Sequence, residues 1–264
     1  MKAQSKVIDV PARPAPFELD PSTTAVVVVD MQNDFASPGG MFDRAGIDIA
    51  GVQAIVPNIR AILEAARANG VFVVYLKMAF QPDLSDAGYP TSPTWLKHAP
   101  FEVGTEVTSP DGEPSRILIR DYWNTDIVPD LTPEADDVVV YKPRFSGFFE
   151  TELHDVLKKR GVQRLIVVGA TTSVCVDSTV RDAMFRDYHC LVVSDATAEP
   201  IAADAQRSNH EASLLTFELL FAHVATTEDV VAALGTTSAL PARPCCDDQP
   251  RTAQATERNK LLSH

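Results

Sequence analysis

Basic charge, cysteine and long apolar runs are what this chain of 264 residues has least of. Lysine and arginine number 23 against 36 aspartates and glutamates, a formal net charge of −13. A nucleic-acid surface needs a basic patch, so no nucleic-acid partner is expected. Four cysteines do not make a secreted disulfide framework, and two of them, Cys245 and Cys246, adjoin each other in a polar tail. Thiols are therefore expected to stay reduced, as they do in the cytoplasm. The longest apolar runs fall far short of the roughly 20 residues that span a bilayer, so no membrane is expected either. No basic-then-apolar segment opens the chain, and no signal peptide is expected.

What the chain does have is alternation. Short apolar, β-branched runs recur at about 24–29, 71–76, 138–141, 164–168 and 190–195, with a last short one near 221–225. Between them lie segments of helical spacing. The clearest is about 52–68, where Val52, Ile55, Val56, Ile59, Ile62, Leu63 and Ala66 form one apolar stripe and Gly70 follows as a C-cap would. Others cover 149–160, the residues after Cys175, about 203–220, and 227–234 before Gly235. Strands that are apolar throughout are buried on both faces, and strands alternating with helices indicate an α/β domain with a mostly parallel sheet. That domain is expected over residues 17–235. Residues 1–16 hold Pro11, Pro14 and Pro16 without apolar periodicity and are expected to form an extended arm. Residues 79–136 show no clear regular structure, and an insertion of that length is expected to carry function. Residues 236–264 are polar and proline-containing and are expected to stay disordered.

Three chemically active residues fall at the ends of apolar runs. Asp30 closes Thr24-Ala25-Val26-Val27-Val28-Val29, where a carboxylate serves as a helix cap, an ion-pair partner or a base. Lys142 follows Val138-Val139-Val140-Tyr141, where an exposed charge is the ordinary outcome. Cys175 lies in Gly169-Ala170-Thr171-Thr172-Ser173-Val174-Cys175, between the run at 165–168 and a segment of helical spacing. A free cysteine is commonly a small buried hydrophobe. A thiol at a helix start instead meets unpaired N–H groups that favour the nucleophilic thiolate. Ligands of parallel sheets bind at the carboxyl ends of the strands, so the three residues share one rim.

Three segments together carry a family resemblance. They are Val28-Val29-Asp30-Met31-Gln32-Asn33-Asp34-Phe35, then Tyr141-Lys142-Pro143-Arg144-Phe145-Ser146-Gly147-Phe148-Phe149, then Gly169 to Val176. In this order and spacing the chain resembles the isochorismatase-like cysteine hydrolases over about residues 17–235. The resemblance implies a three-layer α-β-α fold whose six strands, numbered among themselves, run 3-2-1-4-5-6. It implies Asp30, Lys142 and Cys175 as a catalytic triad, a cis peptide at Ala170–Thr171, no cofactor, and a homo-oligomer, a tetramer foremost.

Within the family the chain is similar to the branch acting on ureido compounds. Residues 81–86 and 123–129 suggest a triuret- or biuret-like substrate, with ureidoacrylate or another N-carbamoyl compound as the alternative. A non-catalytic scaffold and a vinyl-ether hydrolase are the rival classes; the intact triad speaks against the first and the thiol against the second. Metal-binding relatives carry histidines after the second strand. Lys77-Met78-Ala79-Phe80-Gln81-Pro82-Asp83 has none, so no metal is expected.

With a substrate bound, Asp30 is the expected base and Lys142 the charge that lets two anions share a site. The backbone N–H groups of Thr171 and Cys175 are the candidate oxyanion hole. Phe35, Phe80, Phe145 and Phe148 are candidate walls for a flat substrate, with core packing as the other role open to each. Asn124 is a candidate partner for a ureide carbonyl or amide. Glu218 is a candidate acceptor for terminal NH2 groups. The six histidines are expected at surface or core positions.

Overall fold

The computed structural model describes residues 7–202 and 206–235. Its centre is a six-stranded sheet of β3 (Thr24–Val29), β4 (Phe72–Met78), β7 (Val138–Lys142), β8 (Arg164–Ala170), β9 (His189–Ala198) and β10 (His223–Ala225). Two short hairpins supply the other strands, β1 (Ile8–Val10) with β2 (Phe17–Leu19) and β5 (Glu106–Thr108) with β6 (Pro114–Arg116). The order across the large sheet is β7-β4-β3-β8-β9-β10, and every pairing in it is parallel. Numbered among themselves, these strands run 3-2-1-4-5-6, as expected.

The layering follows from the period of two along each strand. In β3, Val26 and Val28 face one apolar cluster, shared with the helix Val56–Ala68. Ala25, Val27 and Val29 face the other, shared with the helices Leu153–Lys159 and Asp177–Met184. A third cluster lies under residues 79–136, where Phe35, Phe42, Met78, Phe80, Val103 and Ile117 pack together. No helix among the described residues is long and apolar enough to cross a membrane.

Several elements depart from the sequence expectations. The arm is not simply extended: β1 pairs antiparallel with β2, and Val10, Phe17 and Leu19 are buried. Arg13 then bridges Val224 at the sheet edge. The helix expected over 52–68 is two, Ala50–Ala54 and Val56–Ala68, meeting at Ile55. Pro57 sits at the start of the second, where its missing N–H costs nothing. Residues 79–136 do hold regular structure: the hairpin β5–β6 and the helix Pro93–His98, which the Ser92 side chain caps. Over 203–220 the helix is Asn209–Thr216, followed by a wider π turn at Phe217–Phe221. The tail at 236–264, with Cys245 and Cys246, lies outside the described residues.

Candidate active site

The end of β3 and its neighbours build the site. Asp30 follows β3 with a positive φ of 50°, which turns its side chain over the strand ends. Its amide donates to the Leu76 carbonyl (3.1 Å) and its Oδ1 accepts from the Met78 amide (3.0 Å). Gln32 Oε1 accepts from the same amide (2.7 Å) while Gln32 Nε2 donates to the Met78 carbonyl (3.0 Å). Asp30 is therefore tied to β4 on two sides.

Lys142 is the last residue of β7, in register with Met78. Its side chain passes the Met78 sulfur (Nζ–Sδ 3.7 Å) and reaches across β4 to Asp30 Oδ2 (2.8 Å). Nζ also donates to the Arg144 carbonyl (3.2 Å). Oδ2 is at ion-pair distance from Nζ yet has no aligned hydrogen bond, so a buried lone pair stays open.

Cys175 comes from β8, the other neighbour of β3. It sits in the π turn Thr172–Val176 that leads into the helix Asp177–Met184. Glu199 holds the start of that turn by accepting from the Ser173 amide (2.7 Å) and hydroxyl. Thr172 Oγ1 is 2.9 Å from His210 Nδ1. Thr179 Oγ1 donates to the Cys175 carbonyl (2.7 Å) and accepts from the Gly147 amide, which joins the cysteine turn to the loop after Lys142.

The three groups are buried together: Asp30 is 1%, Lys142 0% and Cys175 7% exposed. Burial pushes the Asp30 carboxyl above its ordinary value, with the Lys142 charge opposing it. Burial pulls Lys142 down, but the charges of Asp30 and Cys175 hold it above its ordinary value. Burial raises the Cys175 thiol, Asp30 adds to that, and Lys142 opposes it. In the resting site the thiol therefore keeps its proton beside a carboxylate of raised basicity and a fixed cation. Moving that proton from sulfur to Asp30 leaves the net charge of the trio unchanged, so the step needs no new charge in a dry environment.

The peptide Ala170–Thr171 is cis. The Thr171 carbonyl accepts from the amides of Val174 and Val176. Among the described residues, the Thr171 and Cys175 amides donate to no group outside their own turn. No grouping of three or more His, Cys, Asp or Glu able to hold a metal occurs among the described residues.

The other candidates are dispersed. Asn124 is fully buried with its amide committed: Nδ2 donates to Asp34 Oδ1 and Oδ1 accepts from Ser115 Oγ. It is a structural partner of Asp34, not a free substrate ligand. Glu218 forms an ion pair with Arg13 (3.1 Å) beside the edge strand β10, two strands away from β8. It is not brought to the triad. Phe148 stacks on Tyr188 (5.8 Å) in the core on one face of the sheet. Phe35 packs edge-on against Phe42 (5.0 Å) in the cluster under the insertion. For both, the packing role is the one observed. Phe80 is fully buried in the same cluster as Phe35, whereas Phe145 is half-exposed, and both rings contact His98.

Two contributors were not picked out by sequence reasoning. Gln32 lies inside the first quoted motif, but only the fold shows it clamping Met78. Asp34, fully buried, accepts from the amides of Met41 (2.9 Å) and Leu118 (2.8 Å) as well as from Asn124. It pins the insertion to the segment after β3.

The chain is similar to known proteins along most of its length. The family model described as isochorismatase domain matches residues 24–229. Ureidoacrylate amidohydrolase RutB of Caulobacter segnis is 39% identical over 226 residues, covering 86% of this chain and 92% of the relative. The enzyme of that name from Methylobacterium radiotolerans is 40% identical over 233 residues, 88% of each chain. Among solved structures, a cysteine hydrolase from Pseudomonas syringae pv. phaseolicola superposes with a TM-score of 0.69 at 31% identity, covering 89% of this chain and 98% of that one.

Proposed function

The chain belongs to the isochorismatase family and is a hydrolase of linear amide C–N bonds, and from that premise we propose that it cleaves the ureido group of ureidoacrylate. The observation that carries this reading is the likeness to ureidoacrylate amidohydrolases along nearly the whole of both chains, combined with a buried Asp30–Lys142 pair facing Cys175.

In this reading Asp30 takes the thiol proton through its open Oδ2 lone pair, and Sγ attacks the ureido carbonyl carbon. The amides of Thr171 and Cys175 hold the oxyanion. As the C–N bond breaks, Asp30 returns the proton to the departing nitrogen, which leaves as the aminoacrylate. The carbamoyl group stays on sulfur. Asp30 then deprotonates a water that attacks the same carbon, carbamate departs, and the proton restores the thiol. Carbamate breaks down to ammonia and carbon dioxide. Lys142 keeps its charge throughout and offsets whichever anion the site carries.

A triuret- or biuret-like substrate is the second reading. It drew on the segments 81–86 and 123–129 and on Glu218. Asp86 accepts from the Gln81 amide and pairs with Arg120, Asn124 serves Asp34, and Glu218 serves Arg13. These contacts account for the segments without a substrate, so they no longer favour the longer ureides. The test is ammonia release by the purified protein from ureidoacrylate, biuret and triuret. A higher kcat/KM for ureidoacrylate is expected. Preference for biuret or triuret by a wide margin overturns the substrate while leaving the triad in place.

A further inference from the structure

The steps above leave a buried histidine beside the triad unused. His98 ends the helix Pro93–His98 in the insertion and is 6% exposed. Its ring stands edge-on to Phe80 (5.4 Å, 90°) and tilted against Phe145 (5.5 Å, 33°). Phe80 is two residues past Met78, whose amide holds Asp30, and Phe145 is three residues past Lys142. These contacts, with the charge of Lys142 acting on the ring, put His98 near the ends of the strands that carry Met78 and Lys142.

The tautomer follows from one bond. Nδ1 lies 2.7 Å from the Thr94 carbonyl, which can only accept, so Nδ1 carries a proton. In the neutral ring Nε2 is then a bare acceptor. Burial disfavours the charged ring, the Thr94 carbonyl works the other way, and Lys142 and Arg144 are close enough to disfavour a second cation. Among the described residues Nε2 has no hydrogen-bond partner. The two nearby cations have other acceptors: Lys142 is held by Asp30 and the Arg144 carbonyl, and Arg144 Nη1 donates to the carbonyls of Asp86 and Pro143. Nε2 is not among the fully buried unpaired atoms, so a donor from outside the protein can reach it, and an acceptor that the protein itself leaves unpaired is open to a ligand.

We propose that His98 Nε2 accepts a hydrogen bond from the terminal NH2 of the substrate's carbamoyl group, with the rings of Phe80 and Phe145 fixing the imidazole plane. This rests on the reading that the substrate ends in –C(=O)NH2. With the carbonyl carbon at Sγ and its oxygen in the oxyanion hole, the NH2 is the remaining polar group of the carbamoyl unit and needs an acceptor. His98 supplies one that is neutral and therefore does not compete with Lys142 for Asp30.

Two readouts test it. In steady-state turnover of ureidoacrylate, His98→Asn keeps a donor for the Thr94 carbonyl but loses the distal acceptor. It is expected to lower kcat/KM by roughly 5- to 100-fold, mostly through KM. His98→Gln, which carries an acceptor near the Nε2 position, is expected to stay within a few-fold of wild type. The second readout needs no turnover. Iodoacetamide carries the same –C(=O)NH2 group, and methyl iodoacetate, of similar size, has no donor. The ratio of Cys175 alkylation rates with the two reagents should fall about tenfold in His98→Asn and hold in His98→Gln. If His98→Asn does not fold, His98→Leu takes its place with the same expectation. An unchanged alkylation ratio in the folded loss variant overturns the role of His98, whatever the substrate proves to be. Failure of the wild-type protein to hydrolyse ureidoacrylate overturns the substrate instead, and the alkylation ratio still judges His98.

Discussion

Gly169→Ala should disable the protein in two ways at once. Gly169 lies in β8 opposite Val29 of β3, with φ of 114°. A Cβ there would meet the Val29 carbonyl oxygen at 2.1 Å, its nitrogen at 2.8 Å and its carbonyl carbon at 2.9 Å. These are backbone atoms of a central strand and cannot swing aside as a side chain would. Forcing an alanine into that backbone region costs about 1–3 kcal/mol. Overpacking between the strands costs about the same again. The sum is about 4 kcal/mol, a large part of the roughly 5–15 kcal/mol that holds a domain folded. Val29 immediately precedes Asp30, and Gly169 immediately precedes the Ala170–Thr171 peptide. Any separation of β3 from β8 therefore also moves the base away from the thiol and the oxyanion amides. The assay is urea denaturation together with kcat. Gly51→Ala is the control: its Cβ meets nothing within 4 Å, it lies in the helix Ala50–Ala54, and a gain of about 0.5–1 kcal/mol is expected there. A Gly169→Ala protein within about 1 kcal/mol of wild type and normally active would refute the reasoning.

Two further outcomes follow from buried charge. Burial pushes Asp34 up to about 7 against the donors that surround it. Its folded value lies above its unfolded one, so its contribution to stability is full in acid and is lost as pH rises toward 7. The upper bound is about 4 kcal/mol. Asp34→Asn should flatten the fall in stability between about pH 4 and pH 7, and a parallel pH profile in the variant would contradict this. Asp30→Asn and Lys142→Ala should each lower kcat by orders of magnitude, with little further loss when either is combined with Cys175→Ala, since residues acting as a unit do not contribute separately. Multiplicative losses in the double variants would count against a triad.

The parts of this molecule that were legible in the sequence are those with a period. Thr24–Val29 is buried along its whole length, and an unbroken β-branched run can be read as a central parallel strand. Asp30 and Lys142 were visible because each interrupts such a run at its end, and Cys175 because it lies where a strand pattern gives way to a helical one. The hairpin of β1 and β2 was hidden because three residues per strand are too few to establish an alternation. The π turns at Thr172–Val176 and Phe217–Phe221 were hidden because a wider turn uses the same residues as an α-helix.

Substrate-facing residues were the least legible. Asn124 and Glu218 were chosen for their chemistry, but a polar side chain goes wherever the fold leaves a complementary group. For Asn124 that group is Asp34, and for Glu218 it is Arg13. His98, expected with the other histidines at a surface or core position, is buried as expected, and its further interest was hidden for the converse reason. A lone histidine in an irregular insertion carries no pattern, and its interest comes only from a bare ring nitrogen held between Phe80 and Phe145.

The central claim is that Cys175 becomes covalently carbamoylated during turnover. Acid quenching of the protein within its first turnovers of ureidoacrylate, followed by mass spectrometry of the peptide containing Cys175, tests it directly. The expected result is a single carbamoyl group on Cys175 that appears and decays with turnover and is absent from Cys175→Ala, which should be inactive. Sustained hydrolysis with no adduct at any quench time, together with more than a few per cent of activity in Cys175→Ala, would contradict it.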